Sequence, residues 1–105
     1  MINQDTIIAL ATSNGLGAIA VIRISGKESI SITESVFKSK SKKLLSNQKS
    51  HTVHLGHLIK KGHELDEVLI TLFKGPHSYT GENTIEISCH GSTYIQKEII
   101  NLFID

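Results

Sequence analysis

Residues 15–25, Gly15-Leu16-Gly17-Ala18-Ile19-Ala20-Val21-Ile22-Arg23-Ile24-Ser25, admit two readings, and the choice between them decides the fold. The first six residues match G-x-G-x-x-A, the fingerprint of a dinucleotide-binding turn. That fingerprint works only when a helix N-terminus follows the glycines, because backbone amides and the helix dipole must point at a pyrophosphate. Here residues 18–25 are β-branched and apolar, and they read as a strand. Ile19, Val21 and Arg23 share one face of it, and Ala18, Ala20, Ile22 and Ile24 share the other. A strand after the glycines rules out the nucleotide site, and the glycines serve a tight turn or the close approach of a flat ligand. Apolar residues on both faces make this strand central in its sheet.

Working outward, residues 5–12 (DTIIALAT) read as a short strand stopped by the turn cluster Ser13-Asn14-Gly15. Ser25 lies three residues before Glu28, the spacing of a capping box, which predicts a helix from about Gly26 to Lys38. Residues 38–50 are polar and lysine-rich, a surface connection. Residues 51–60 and 65–74 read as strands joined at Lys61-Gly62-His63 in a hairpin, the second ended by Gly75-Pro76. Residues 84–90 (TIEISCH) form a further strand with Ile85, Ile87 and Cys89 facing one way and Thr84, Glu86 and Ser88 the other. Ser92 or Thr93 caps an amphipathic helix over 93–104 that uses Tyr94, Ile95, Ile99, Leu102 and Phe103. The expected fold is therefore α+β, a mixed sheet of about five strands with two helices.

A chain of 105 residues builds one compact domain, and its apolar fraction of 39% suffices for one core. The formal charge of +1 gives no global attraction to nucleic acid or membrane. No stretch approaches the roughly 20 apolar residues of a membrane span, and the N-terminus lacks the pattern of a signal peptide. The single cysteine excludes an internal disulfide and fits a cytoplasmic protein. The sequence stops as its last helix finishes, which suggests part of a longer protein. No G-x-x-x-x-G-K-(S/T) loop occurs, so nucleotide binding of the P-loop kind is excluded.

His51, His54 and His57 invite a metal reading, but on a strand His54 faces away from the other two, so no metal site is expected. Cys89 and His90 likewise diverge, and Cys89 on the apolar face reads as core, so no catalytic residue is assigned. The lysines of 38–43 read as a solvated loop, since no aromatics interleave for base stacking. Arg23 is the informative charge. On an otherwise apolar strand face an unpaired guanidinium is costly, so it either pairs within the domain, with Glu86 as the natural counterpart, or meets a ligand.

Three stretches together resemble one family. Residues 5–26 (DTIIALATSNGLGAIAVIRISG) resemble the opening of the tRNA modification GTPases, MnmE or TrmE, which reads D-T-I-x-A-x-A-T-P-P-G-x-G followed by R-I-S-G. Residues 64–86 (ELDEVLITLFKGPHSYTGENTIE) resemble its D-E-x-x-x-x-x-F-x-x-P-x-S-(Y/F)-T-G-E segment, and His90-Gly91 matches its H-G-G. Order and spacing agree over nearly the whole chain. Ser13-Asn14 depart from the usual Pro-Pro, and Ser92 from a glycine.

The resemblance implies that residues 1–105 are an N-terminal folate-binding and dimerisation domain. Its fold would be similar to the tetrahydrofolate-binding domains of aminomethyltransferases. Its cofactor would be 5-formyltetrahydrofolate or another tetrahydrofolate, and the family's folate contacts fall on Arg23 and Glu86. The helical and G domains lie outside this chain, and GTP hydrolysis with its potassium and magnesium belongs to the latter. The whole protein would act with a flavin-dependent partner, MnmG or GidA, on carbon 5 of the wobble uridine in tRNA. Two alternatives remain: an oligomerisation module whose ligand site is completed elsewhere, and one-carbon transfer by this domain alone, for which no acid or base is evident.

Overall fold

A computed structural model describes residues 5–11, 19–76 and 81–104. Along the chain run β1 (Ile7–Leu10), β2 (Ile19–Ser25), α1 (Ser29–Val36), β3 (Phe37–Ser39), a 3₁₀ turn (Leu45–Asn47), β4 (Thr52–Lys60), β5 (His63–Phe73), β6 (Thr84–His90) and α2 (Thr93–Ile104). The six strands form one sheet in the order β1-β2-β6-β5-β4-β3. Every neighbouring pair is antiparallel. The expectation of a mixed, five-stranded sheet is thus corrected in two respects. No two neighbours run parallel, and a sixth strand, β3, lies within the segment read as the end of a helix and a surface connection.

Period two explains why one sheet face is closed and the other open. Ala20, Ile22 and Ile24 of β2, Val68, Ile70 and Leu72 of β5, and Ile85, Ile87 and Cys89 of β6 are all buried. They join Ile30, Ile32 and Val36 of α1, Leu45 of the 3₁₀ turn, and Ile99, Leu102 and Phe103 of α2 in one core. Residues of the other parity, among them Ile7, Ile19, Val53, Leu55 and Leu69, stay exposed. β2 is flanked by β1 and β6 and so is an interior strand, but it lies second from the edge and not at the centre read from its sequence, which belongs to β6 and β5.

Local chemistry sets the element ends. Ser92 Oγ accepts the amide of Ile95 at 3.1 Å, the cap expected for α2. The capping box expected at the start of α1 does not form. The helix begins only at Ser29 with Glu28 as its first boundary residue and no side-chain cap, because Ser25 is still in β2 and its hydroxyl donates to Glu82 instead. The β4–β5 hairpin closes through Lys61 and Gly62, both at positive φ (51° and 80°), the backbone of a two-residue turn that matches strand twist. β3 escaped the sequence reading because its docking depends on a distant glycine. A Cβ on Gly56 would collide with the Lys38 carbonyl and the Phe37 ring, so only glycine lets this edge strand approach β4.

Candidate functional site

Arg23 and Glu86 are direct cross-strand partners on β2 and β6, on the open face. Arg23 Nε and Nη2 both donate to Glu86 Oε2, at 3.0 and 2.6 Å. The two side chains keep 33% and 27% of their surface exposed, so the pair is not sealed inside the protein. Ala9 lies opposite Arg23 on β1 and Thr71 opposite Glu86 on β5, small neighbours that leave the pair standing clear of the sheet. Among the described residues nothing donates to Glu86 Oε1, which leaves one carboxylate oxygen for an incoming N–H. An ion pair of this exposure stabilises a fold by about 0–1 kcal/mol, so a ligand could open it at small cost. Of the two fates read for Arg23 from sequence, pairing within the domain is what the structure contains, and its partner is the residue foreseen. Gly15 and Gly17, read as a tight turn or the close approach of a flat ligand, lie outside the described residues.

Four residues further along each strand, Ile19 faces His90. The β5–β6 ladder ends at Leu69 and Ser88, and a side chain then takes over from backbone. Asp66 Oδ2 accepts the His90 amide at 3.2 Å and Oδ1 contacts His90 Nδ1 at 2.6 Å. The carboxylate is nearly buried (8% exposed) and the imidazole open (69%). A carboxylate can only accept here, so Nδ1 carries a proton, and in the neutral imidazole Nε2 keeps its lone pair. Sequence reading weighed His90 only beside Cys89 and missed Asp66. The signal was available: 66, 68, 70 and 72 share one parity, so an aspartate occupies a core-face position next to three aliphatic ones. His90 borders a shallow hollow of about 270 Å³ with Ile19, Leu55, Leu69 and Ser88.

The remaining candidates separate. His57 Nε2 lies 3.3 and 3.6 Å from carboxylate oxygens of Glu64 and Glu67. Hydrogen bonding from Lys40, 3.1 Å away, holds the Glu67 carboxyl below its usual range, helped by the charge of the same lysine. His54, on the other face, meets Thr52 at 2.8 Å, and partial burial, then Lys43, lowers its pKa. His51 sets its ring edge against Phe73 with centroids 5.0 Å apart. The Cys89 thiol is buried beside the Ala20 carbonyl, and burial, with a smaller push from Asp66, raises it to about 11, the behaviour of a core residue. Of the lysine-rich stretch, Lys40 is engaged by Glu67.

The stretches singled out in the sequence meet at the other end of β2 and β6 as well. The Gly26 amide donates to the Asn83 carbonyl at 2.9 Å, and Gly75 donates to Asn83 Oδ1 at 2.9 Å. A second hollow there is lined by Asp5, Thr6, Lys27, Glu28 and Glu82. No helix among the described residues is long and apolar enough to cross a membrane.

A family model described as GTP-binding protein TrmE N-terminus matches residues 6–105. The chain is 67% identical over 104 residues to a tRNA modification GTPase MnmE of Flavobacterium johnsoniae, covering 99% of this chain and 22% of that protein. It is 56% identical over 101 residues to the MnmE of Christiangramia forsetii, with 96% and 21% covered. Against the MnmE of Bacteroides thetaiotaomicron it is 52% identical over 103 residues, with 97% and 22% covered. The chain thus spans about a fifth of the length of these relatives.

Proposed function

The chain belongs to the TrmE N-terminus family, and we propose that it is the folate-binding, dimer-forming domain of a GTPase that modifies carbon 5 of the wobble uridine in tRNA. On this reading the fold is related to the tetrahydrofolate-binding domains of aminomethyltransferases. The ligand is 5-formyltetrahydrofolate or a close relative, and the protein works in the cytoplasm. GTP, potassium and magnesium belong to a G domain beyond this chain, and the flavin-dependent MnmG is the partner on tRNA.

The observation that carries the ligand assignment is the Arg23–Glu86 pair, about one-third exposed on the open sheet face, with Oε1 of Glu86 unused among the described residues. A reduced pterin presents a 2-amino group beside a ring N–H, and a carboxylate is the acceptor that takes both. Glu86 is the pterin acceptor. Arg23 fixes its orientation, and suits a ligand oxygen once the pair opens. With Oε2 already accepting two donors, a full two-pronged contact needs the guanidinium to turn aside, which the weak pairing permits. Dimerisation draws support from apolar side chains exposed on the same face outside the ligand's reach, Ile7 and Val53.

Calorimetry with 5-formyltetrahydrofolate tests the assignment. Saturable binding is expected, and Glu86→Ala should weaken it roughly 10- to 150-fold, the worth of a charge-assisted contact of about 1.5–3 kcal/mol. Unchanged affinity in a folded Glu86→Ala variant removes this residue from the site. One observation favours a second reading: the two charges already satisfy each other. The domain would then be an oligomerisation module whose ligand site other parts complete, giving a dimer in sedimentation and no heat with folate.

A further inference from the structure

The Arg23–Glu86 pair and the His90–Asp66 pair lie on the same two strands, four residues apart, a distance of about 13 Å at the rise of an extended strand. Between them the open face carries Val21, Ser88 and Leu69, and Ile19, opposite His90, joins Leu55, Glu67 and Leu69 around the hollow. Asp66 clamps His90 by its backbone amide and by Nδ1, so the ring is held in one orientation with Nε2 uncommitted among the described residues. We infer that this hollow is a second anchoring point for the ligand. The flat apolar part of the ligand lies on Ile19, Leu55 and Leu69, and an adjoining N–H is donated to His90 Nε2.

This inference rests on the folate reading and deepens it. The half of a folate that projects from the pterin is an aminobenzoyl ring followed by an amide N–H, which matches the apolar plate and the acceptor that the hollow offers. Its glutamate carboxylates do not meet bare acids there, since Glu67 is engaged by Lys40 and His57, and Asp66 by His90. The opposite end of the strands fits this half poorly. Among the described residues its hollow is lined by the carboxylates Asp5, Glu28 and Glu82 with Lys27 and Thr6, a polar and mainly acidic wall.

The test compares two probes on the protein at its natural length: 5-formyltetrahydrofolate, and 6-methyltetrahydropterin, which lacks the aminobenzoyl-glutamate half. His90→Ala should weaken the folate about 3- to 10-fold, the range for one neutral hydrogen bond, and leave the pterin unchanged. His90→Gln, whose side-chain oxygen can accept the same N–H, should recover part of the loss. Glu86→Ala should weaken both probes. Equal loss of both probes in His90→Ala, or loss of neither, overturns the inference while leaving the folate reading intact if Glu86→Ala still acts. A change in the sedimentation dimer without a change in folate affinity assigns the hollow to a second copy of the chain and overturns it too. Failure of the unaltered protein to bind either probe defeats both readings together.

Discussion

The two faces of the sheet are made by the same strands, residue by alternate residue, yet they answer to different demands. On the helix-covered face β2, β5 and β6 contribute Ala, Ile, Val, Leu and Cys, and burial there is nearly complete. On the open face the same strands contribute Arg23, Glu86, Ser88 and His90 among exposed Ile19 and Leu69. The closed face is fixed by packing, where any apolar residue of the right volume serves. The open face combines apolar surface with the Arg23–Glu86 ion pair and an imidazole oriented by Asp66, a mixture that stability alone does not require.

The largest expected effect sharpens that contrast. Phe103→Ala, at a fully buried site of α2, should cost about 3–5 kcal/mol in denaturant unfolding. Ile19→Ala on the open face should stay within about 0.5 kcal/mol at concentrations too dilute for dimerisation. Comparable losses at both sites would mean that the open face is as structural as the closed one.

Next comes the pH dependence set by Cys89. Its thiol rises from an ordinary value of 9.0 to about 11 on folding. Above pH 9 the unfolded chain has released the proton and the native chain has not, so stability falls as pH rises towards 11. The loss should reach about 2–3 kcal/mol. Cys89→Ala should flatten this part of the profile, and an unchanged slope would show that the thiol is not held in a desolvated core.

The smallest effect concerns the ion pair itself. A double-mutant cycle on Arg23 and Glu86 should give a coupling of about 1 kcal/mol or less to folding. A coupling of several kcal/mol would make the pair a structural brace and break the division of labour between the faces.

Much of this was legible in the sequence because period two is unambiguous where strands are long and one-sided. Ile85, Ile87 and Cys89 against Glu86 and Ser88 could be assigned to faces before any coordinates, and Ser92 announced the start of α2. The candidate pair was legible in part. Arg23 stands out on an apolar face, but nothing local says that β6 rather than β1 or β5 lies beside it in the right register. What stayed hidden depends on contacts distant in the chain. β3 is a strand because Gly56 admits it, and His90 gains its partner because the β5–β6 ladder ends at Leu69, three residues short of Asp66. The false capping box at Ser25 shows the opposite error, a local pattern overruled because the strand held its residue longer.

The most direct test is a crystal structure with 5-formyltetrahydrofolate bound. The account predicts the pterin N–H groups on the Glu86 carboxylate, the Arg23 guanidinium displaced from its present contact, and the ligand lying across the open face towards His90. Density for the ligand on the helix-covered side or in the hollow by Asp5 and Glu82, with the Arg23–Glu86 contact undisturbed, would contradict it.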